Sequence, residues 1–286
     1  MPLRLLSTLA CLVLVLTACA RVPTSEPVPA IPAATATLAS SPTPQLAIRR
    51  DPPLALPAGV TVEEYPVTLS GETEGRDFVP ALGSMEDVLA VRAAWRAVPD
   101  PARAQVDPND PNQLAADLDG SRLAARVENT NLDVGGIVYP QTTLVVLRDG
   151  GEVYRQDLGV SGPVPLLRGL WTHEGHWVIE AATGGPMGGM PIGDVLVDGE
   201  SLNATNGYEE SFGFQTLAGR PFYFFQRDAR VGAVYDGQEI VLDYDLIHHY
   251  SCCSGGEFNP IPAADMVSFF AQRNGQWYYA ELGVYP

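Results

Sequence analysis

A chain of 286 residues that is 46% hydrophobic can hold one large or two ordinary domains with a packed core. Its formal charge of −17 and the scatter of its 17 basic residues, every one an arginine, exclude a phosphate-binding face, which needs clustered cations. Nucleic acid is therefore not an expected partner.

The first element is Arg4 followed by the apolar run Ala10-Cys-Leu-Val-Leu-Val-Leu16. It is too short for a mature spanning helix and reads as a signal segment over residues 1–18. It ends in Leu16-Thr-Ala-Cys19, which resembles the lipobox of bacterial lipoproteins. The resemblance implies acylation of Cys19, a membrane partner through that anchor, and a place on the extracytoplasmic side of the cell envelope. With Ala20 next, that place is the outer membrane of a diderm cell or the outer face of the plasma membrane of a monoderm one. Residues 19–59 are rich in Pro, Ala and Thr, without apolar periodicity, and read as a tether.

Folded sequence is expected from Val60, in a 60–165 mixed β domain with one helix and a 166–286 aromatic-rich β domain; 60–286 as one domain is the alternative. Thr61–Leu69 reads as a strand that Pro66 pushes to an edge. Ser84 as N-cap, with Val88, Val91, Trp95 and Val98 on one face, predicts a helix that Pro99 stops. Asp107–Asn112 is turn chemistry, followed by a helical turn at Gln113–Ala116. Strands are then expected at Arg122–Glu128, Ile137–Leu147, Glu152–Leu158, Leu167–Thr172 and His176–Ala181, joined by turns such as Asp149-Gly-Gly151 and Glu174-Gly175. Thr183–Met190 is too rich in glycine for a strand interior and reads as a loop. The fold class is mainly β, with antiparallel hairpins and a minor helical element.

From Gly193 onward, aromatic strands alternate with Asp198-Gly199, Asn206-Gly207, Asp236-Gly237 and Asn274-Gly275, dipeptides suited to type I′ turns. Val195–Gly199, Gly207–Phe212 and Pro221–Arg227 return as Ala233–Gly237, Tyr244–Ile247 and Phe269–Arg273, a quasi-repeat of β units. Val231–Gly237, Tyr244-Asp245 and Gly275-Gln-Trp277 resemble WG-repeat proteins, with Val in place of Trp before Gly232. The C-terminal half also resembles a group of bacterial lipoproteins with His-Trp-Val, Asp-Gly-x-x-Leu-Asn and His-Tyr-x-Cys-Cys elements, and that likeness carries no activity.

Candidate chemistry is sparse. His173-Glu-Gly-His176 has its histidines three apart across a turn, where a zincin helix needs four. A site joining His173 and His176 to His248, His249 or the cysteine pair has ligand types that suit zinc. Asp117–Ser121 with Glu128 has part of a calcium-loop pattern, but Arg122 replaces its glycine, and a tight turn explains the same residues. Glu209 and Glu210 are adjacent and should face opposite sides of a strand. Among the aromatics of the C-terminal block, Tyr223, Phe225 and Trp277 are candidates to line a groove for glycan, peptide or an envelope protein, although strand alternation favours the core for the Phe222–Phe225 run. No cofactor is expected.

Cys252 and Cys253 are left as neighbours once Cys11 leaves with the signal segment and Cys19 takes lipid. In an oxidising compartment they are expected to close a strained vicinal disulfide; buried free thiols, metal ligation and an intermolecular bridge are the alternatives. The reading is a lipid-anchored, non-catalytic binding or scaffold module. An envelope hydrolase or metal-dependent enzyme using His173, His176, His248 and Glu180 is the alternative.

Overall fold

Two-residue turns with both φ angles positive set the architecture. At Asp119-Gly120, Asp149-Gly150, Asp198-Gly199, Asp236-Gly237 and Asn274-Gly275 the first residue lies at φ 49–51° and the second at 75–89°. This is type I′ geometry, whose twist matches that of the strands it joins. The structure, a computed structural model, describes residues 50–51, 53–67, 100–160, 165–184, 191–250 and 259–284. Cys19, Cys252, Cys253, the helix expected after Ser84 and the loop beyond Gly184 lie outside the described residues.

The molecule is mainly β, with eighteen strands and one short helix described. β1 (Thr61–Val67) comes first among the described strands but belongs to the last sheet. The first sheet is the meander β2 (Gln105–Asp107), β3 (Asp110–Leu118), β4 (Ser121–Val134), β5 (Ile137–Arg148) and β6 (Gly151–Val160). The second is β7 (Leu167–His173), β8 (His176–Thr183), β9 (Ile192–Val197) and β10 (Glu200–Ser201), followed by the helix α1 (Leu202–Asn206). The third is β11 (Glu210–Leu217), β12 (Arg220–Arg227), β13 (Arg230–Tyr235) and β14 (Gln238–Tyr244). In the fourth, β15 (Leu246–Ile247) and β16 (Ile261–Pro262) both pair with β17 (Met266–Arg273), which pairs with β18 (Gln276–Gly283), which pairs with β1.

Residues Gln45–Pro286 form one compact unit, and the 165 position falls where β6 gives way to β7. Strand alternation gives each inner sheet two buried faces. Leu170, Ile179 and Leu196 of the second sheet join Leu123, Leu144 and Leu158 of the first in a cluster that continues through Phe222 and Phe224 to Phe269 and Leu282 of the fourth. On its other face the second sheet sets Trp171, Val178 and Val195 against Phe214, Tyr223, Phe225 and Val234 of the third. Burying one such aromatic contributes about 1.5–3 kcal/mol.

Asp198-Gly199 and Asp236-Gly237 each join a third strand to a fourth, while Pro221–Arg227 and Phe269–Arg273 lie in strands that follow the leading edge, β12 and β17. Two local expectations are corrected. Gln113–Ala116 is no helical turn but the middle of β3, because pairing of Leu114 with Ala125 and Ala115 with Ala124 overrides a weak local preference. Asn206-Gly207 is no hairpin turn: Gly207, at φ 68°, caps the C-terminus of α1 and donates its N–H to the Asn203 carbonyl, while Ser201 caps the other end.

β1 fastens the fourth sheet through Glu64, which is 1% exposed. Arg50 Nε donates to Glu64 Oε2 at 2.8 Å and Arg273 Nη1 to Oε1 at 2.9 Å. The Tyr244 hydroxyl donates to Glu64 Oε1, and a second Arg50 nitrogen donates to the Leu242 carbonyl of the third sheet. Burial alone would raise the Glu64 carboxyl, but hydrogen bonds from Arg50, Arg273 and Tyr244 outweigh it and hold the group below the ordinary carboxylate range.

Candidate binding cavity

The segment Asp100–Ala104 bridges three sheets. Asp100 accepts from Thr216 N at 2.7 Å, from Thr216 Oγ1 at 2.5 Å and from Ala102 N at 2.9 Å, tying the segment to β11. Ala104 N donates to the Leu170 carbonyl at 2.8 Å and Thr172 N to the Ala102 carbonyl at 3.0 Å, so the segment covers the free edge of β7. It then continues into β2 of the first sheet.

Two β-bulges face this crossing. In β7 the register slips between Leu167 and Gly169, at Arg168. In β11 it slips between Phe212 and Gln215, where Gly213 takes φ 66°. Bulges re-aim side chains and release backbone donors. The Phe214 N–H donates to Glu180 Oε2 at 2.7 Å, and the Phe214 ring meets Trp171 edge-on at 5.0 Å. Gly169 has no Cβ because the Trp171 indole lies over it: a Cβ there would come within 2.2 Å of Trp171 Cη2.

Between these elements lies a cavity of about 530 Å³, lined from all four sheets by residues that include Leu114, Arg103, Arg168, Trp171, Gln215 and Pro262. A smaller one of about 200 Å³ shares Arg103, Arg168, Trp171 and Gln215 and adds Glu180 and Tyr250. The larger volume is that of a small-molecule site.

The polar groups around it are unevenly matched. Asp100 and Glu180 are taken up by neutral donors, Glu180 Oε1 accepting from the Tyr250 hydroxyl at 2.5 Å. Burial, and then the nearby Glu180 charge, push the Tyr250 phenol well above its usual range. Arg103 lies over Trp171 at 5.4 Å and donates to the Arg168 carbonyl at 3.2 Å, while Arg168 lies over Tyr250 at 4.7 Å. Among the described residues neither arginine has a carboxylate within 4 Å of its nitrogens, the reach of an ion pair. Gln215 donates through Nε2 to the Ala263 and Met266 carbonyls at 3.2 and 3.4 Å, but its buried Oε1 has no partner. The buried Trp171 Nε1 has none either.

Glu210 and His249 brace the neighbouring strands. Glu210 Oε1 accepts from Gly193 N at 2.7 Å and stands 3.1 Å from His249 Nε2. His249 Nδ1 is 2.6 Å from the Ile247 carbonyl, and its ring stacks on Phe212 at 3.5 Å. Glu209 is exposed, so the two adjacent carboxylates do part.

The residues singled out in the sequence lie elsewhere. His173 is 3.8 Å from Glu174 at its turn. His176 Nδ1 is 2.6 Å from Asp198 Oδ2, a hydrogen bond that raises the imidazole above its ordinary value. The His248 carbonyl accepts from Asn259 Nδ2 at 2.7 Å, and burial, then the neighbouring His249, lowers its imidazole. Glu180 bonds to Phe214 and Tyr250 and not to these histidines, so His173, His176, His248 and Glu180 do not assemble as one cluster. Among the described residues no three His, Cys, Asp or Glu side chains are grouped to hold a metal. Asp119-Gly120 of the calcium-like stretch is a type I′ turn. Tyr223 and Phe225 are buried between the second and third sheets, Phe225 stacked on Tyr208 at 4.5 Å, and so line no open groove. Trp277 is half-buried beside Phe270 and Tyr279.

Sequence reasoning missed Arg103, Arg168, Trp171 and Gln215. Gly169 and Gly213, glycines inside strands, were the available signal, since such glycines mark bulges and close approaches. No family model, curated protein or solved structure matches this chain, and the cavity is therefore read from its own residues.

Proposed function

We propose that this chain is a lipid-anchored extracytoplasmic binding module: a signal segment, acylation at Cys19, a Pro-rich tether, and a non-catalytic β domain whose ligand occupies the cavity between Arg103, Arg168, Trp171 and Gln215. One observation carries the reading. Trp171 Nε1 and Gln215 Oε1, a donor and an acceptor, are both buried and unpartnered beside a cavity of ligand size. Buried polar groups in folded proteins are nearly always paired, and an unmade bond costs about 1–3 kcal/mol. Neither atom is open to the cavity as the side chains stand, so a ligand that supplies an acceptor and a donor removes that cost once the neighbouring side chains give way.

The full-length chain in neutral detergent, screened against glycan and peptide fragments by thermal melting, is expected to yield ligands that raise Tm with concentration. They should quench tryptophan fluorescence in the wild type and lose affinity in Gln215→Leu. A screen without a stabilising ligand would defeat the binding reading. The anchor is tested separately: Cys19→Ala should abolish membrane fractionation and the acyl mass, and a variant that stays with membranes in high salt would refute it.

A further inference from the structure

Resting on the cavity reading above, we infer that the ligand is a small monocarboxylate that also carries a hydrogen-bond donor, either a hydroxyl or an amide N–H. In a chain of net charge −17, two arginines that line both cavities without a carboxylate partner are an unusual reserve of positive charge. Their guanidinium forks match the two oxygens of a carboxylate. A charge of −2 is disfavoured, because Asp100 and Glu180 also line these cavities and repel a second negative charge. The third requirement comes from Gln215: its Nε2 is held by two carbonyls, so the free Oε1 cannot be flipped to donate and needs a donor from the ligand. Inorganic phosphate keeps a P–OH donor at neutral pH, but much of it is the dianion that Asp100 and Glu180 disfavour. Trp171 Nε1 in turn needs an acceptor, which a second carboxylate oxygen or a sugar or amide oxygen supplies.

An acidic sugar and the C-terminal residue of a peptide share this chemistry, and calorimetry on the full-length chain separates them. The probes are D-glucuronate and N-acetyl-alanine, each beside its neutral counterpart, methyl glucoside and N-acetyl-alaninamide, with inorganic phosphate as a fifth. At least one carboxylate should bind tenfold or more tighter than its neutral partner, lose affinity as salt is raised, and outcompete phosphate. Whichever acid binds identifies the source. Arg168→Gln should narrow the preference for the acid over its neutral counterpart several-fold, Arg103 keeping the remainder, and a preference left at its wild-type value would overturn the assignment; because this side chain has no ion pair to lose, the variant is expected to fold, and its melting curve checks that. Equal binding of acid and neutral probes by the wild type would overturn the carboxylate assignment and leave the binding module standing. Tighter binding of phosphate would overturn it as well. Failure of all five probes, while the broader screen finds a ligand, would sink this inference alone; failure of both would sink the cavity reading too.

Discussion

Around Glu64 both oxygens of a buried carboxylate are saturated by Arg50, Arg273 and Tyr244; around Trp171 two arginines without a carboxylate partner meet an indole N–H and an amide oxygen that have no hydrogen-bond partner. Both places gather arginines beside aromatic rings, with Arg50 at 4.8 Å from the Tyr244 ring centre and Arg168 at 4.7 Å from that of Tyr250. What differs is where the carboxylates go. At Glu64 the acid faces the bases. At the cavity, Asp100 and Glu180 are turned to backbone N–H groups and hydroxyls, and the bases are left over. A matched buried cluster holds strands together, whereas an unmatched one beside a cavity leaves hydrogen-bonding capacity for something else.

The largest effect should come from breaking the matched side. Glu64→Ala strands two guanidinium groups, and removing one member of such a pair is expected to cost about 3–5 kcal/mol in urea unfolding. The acid limb follows in sign: the folded carboxyl lies below its unfolded value near 4.3, so its contribution is fully present above that value and is lost as pH falls through the folded one. A Glu64→Gln variant should therefore lose part of the wild type's stability at pH 7 and show a flatter decline below pH 4. Equal slopes would show that Glu64 is not the acid-sensitive group.

Next comes Asp100→Ala, which leaves the Thr216 N–H and hydroxyl without their acceptor in the interior and frees the segment that crosses from β11 to β7. About 1–3 kcal/mol is expected, together with faster hydrogen exchange at the Ala104 and Thr172 amides. Unchanged exchange would mean that β7 alone holds the segment. Gly169→Ala should cost a comparable or smaller amount by pushing the indole off its seat, since the added Cβ sits 2.2 Å from Trp171 Cη2. A red-shifted Trp emission would report the displacement. The smallest effect belongs to Arg168→Gln, which loses only its contact with the Tyr250 ring, at most about 1 kcal/mol. If it destabilised as strongly as Arg273→Gln, the contrast between the two clusters would collapse.

The turns and strands were legible because their chemistry is local. Asp-Gly and Asn-Gly pairs need only their own backbone to adopt positive φ, and Asp198-Gly199 and Asp236-Gly237 each turn one strand back on the next. β3 was read wrongly because its partner, β4, decides its conformation. The cavity was hidden for a further reason. Arg103 and Trp171 are 68 positions apart and Gln215 lies 44 further on, and they meet through a crossing segment and two bulges that interrupt strand periodicity. His173 and His176 are of a reactive residue type, yet their turns direct them to Glu174 and Asp198.

That the leading strand completes the closing sheet also fixes an order in time. Thr61 pairs with Gly283 and Val67 with Trp277, and Glu64 finds Arg273 across 209 positions of chain. During synthesis β1 leaves the ribosome with no edge to join, and it must wait until β18 has followed it out. Three meanders can form meanwhile from neighbouring strands, while the last contact bears the slow search that distant pairing imposes. A chain stopped short of Gln276 would lose β18 and with it the place where β1 docks, so one missing hairpin arm would undo both ends of the domain at once.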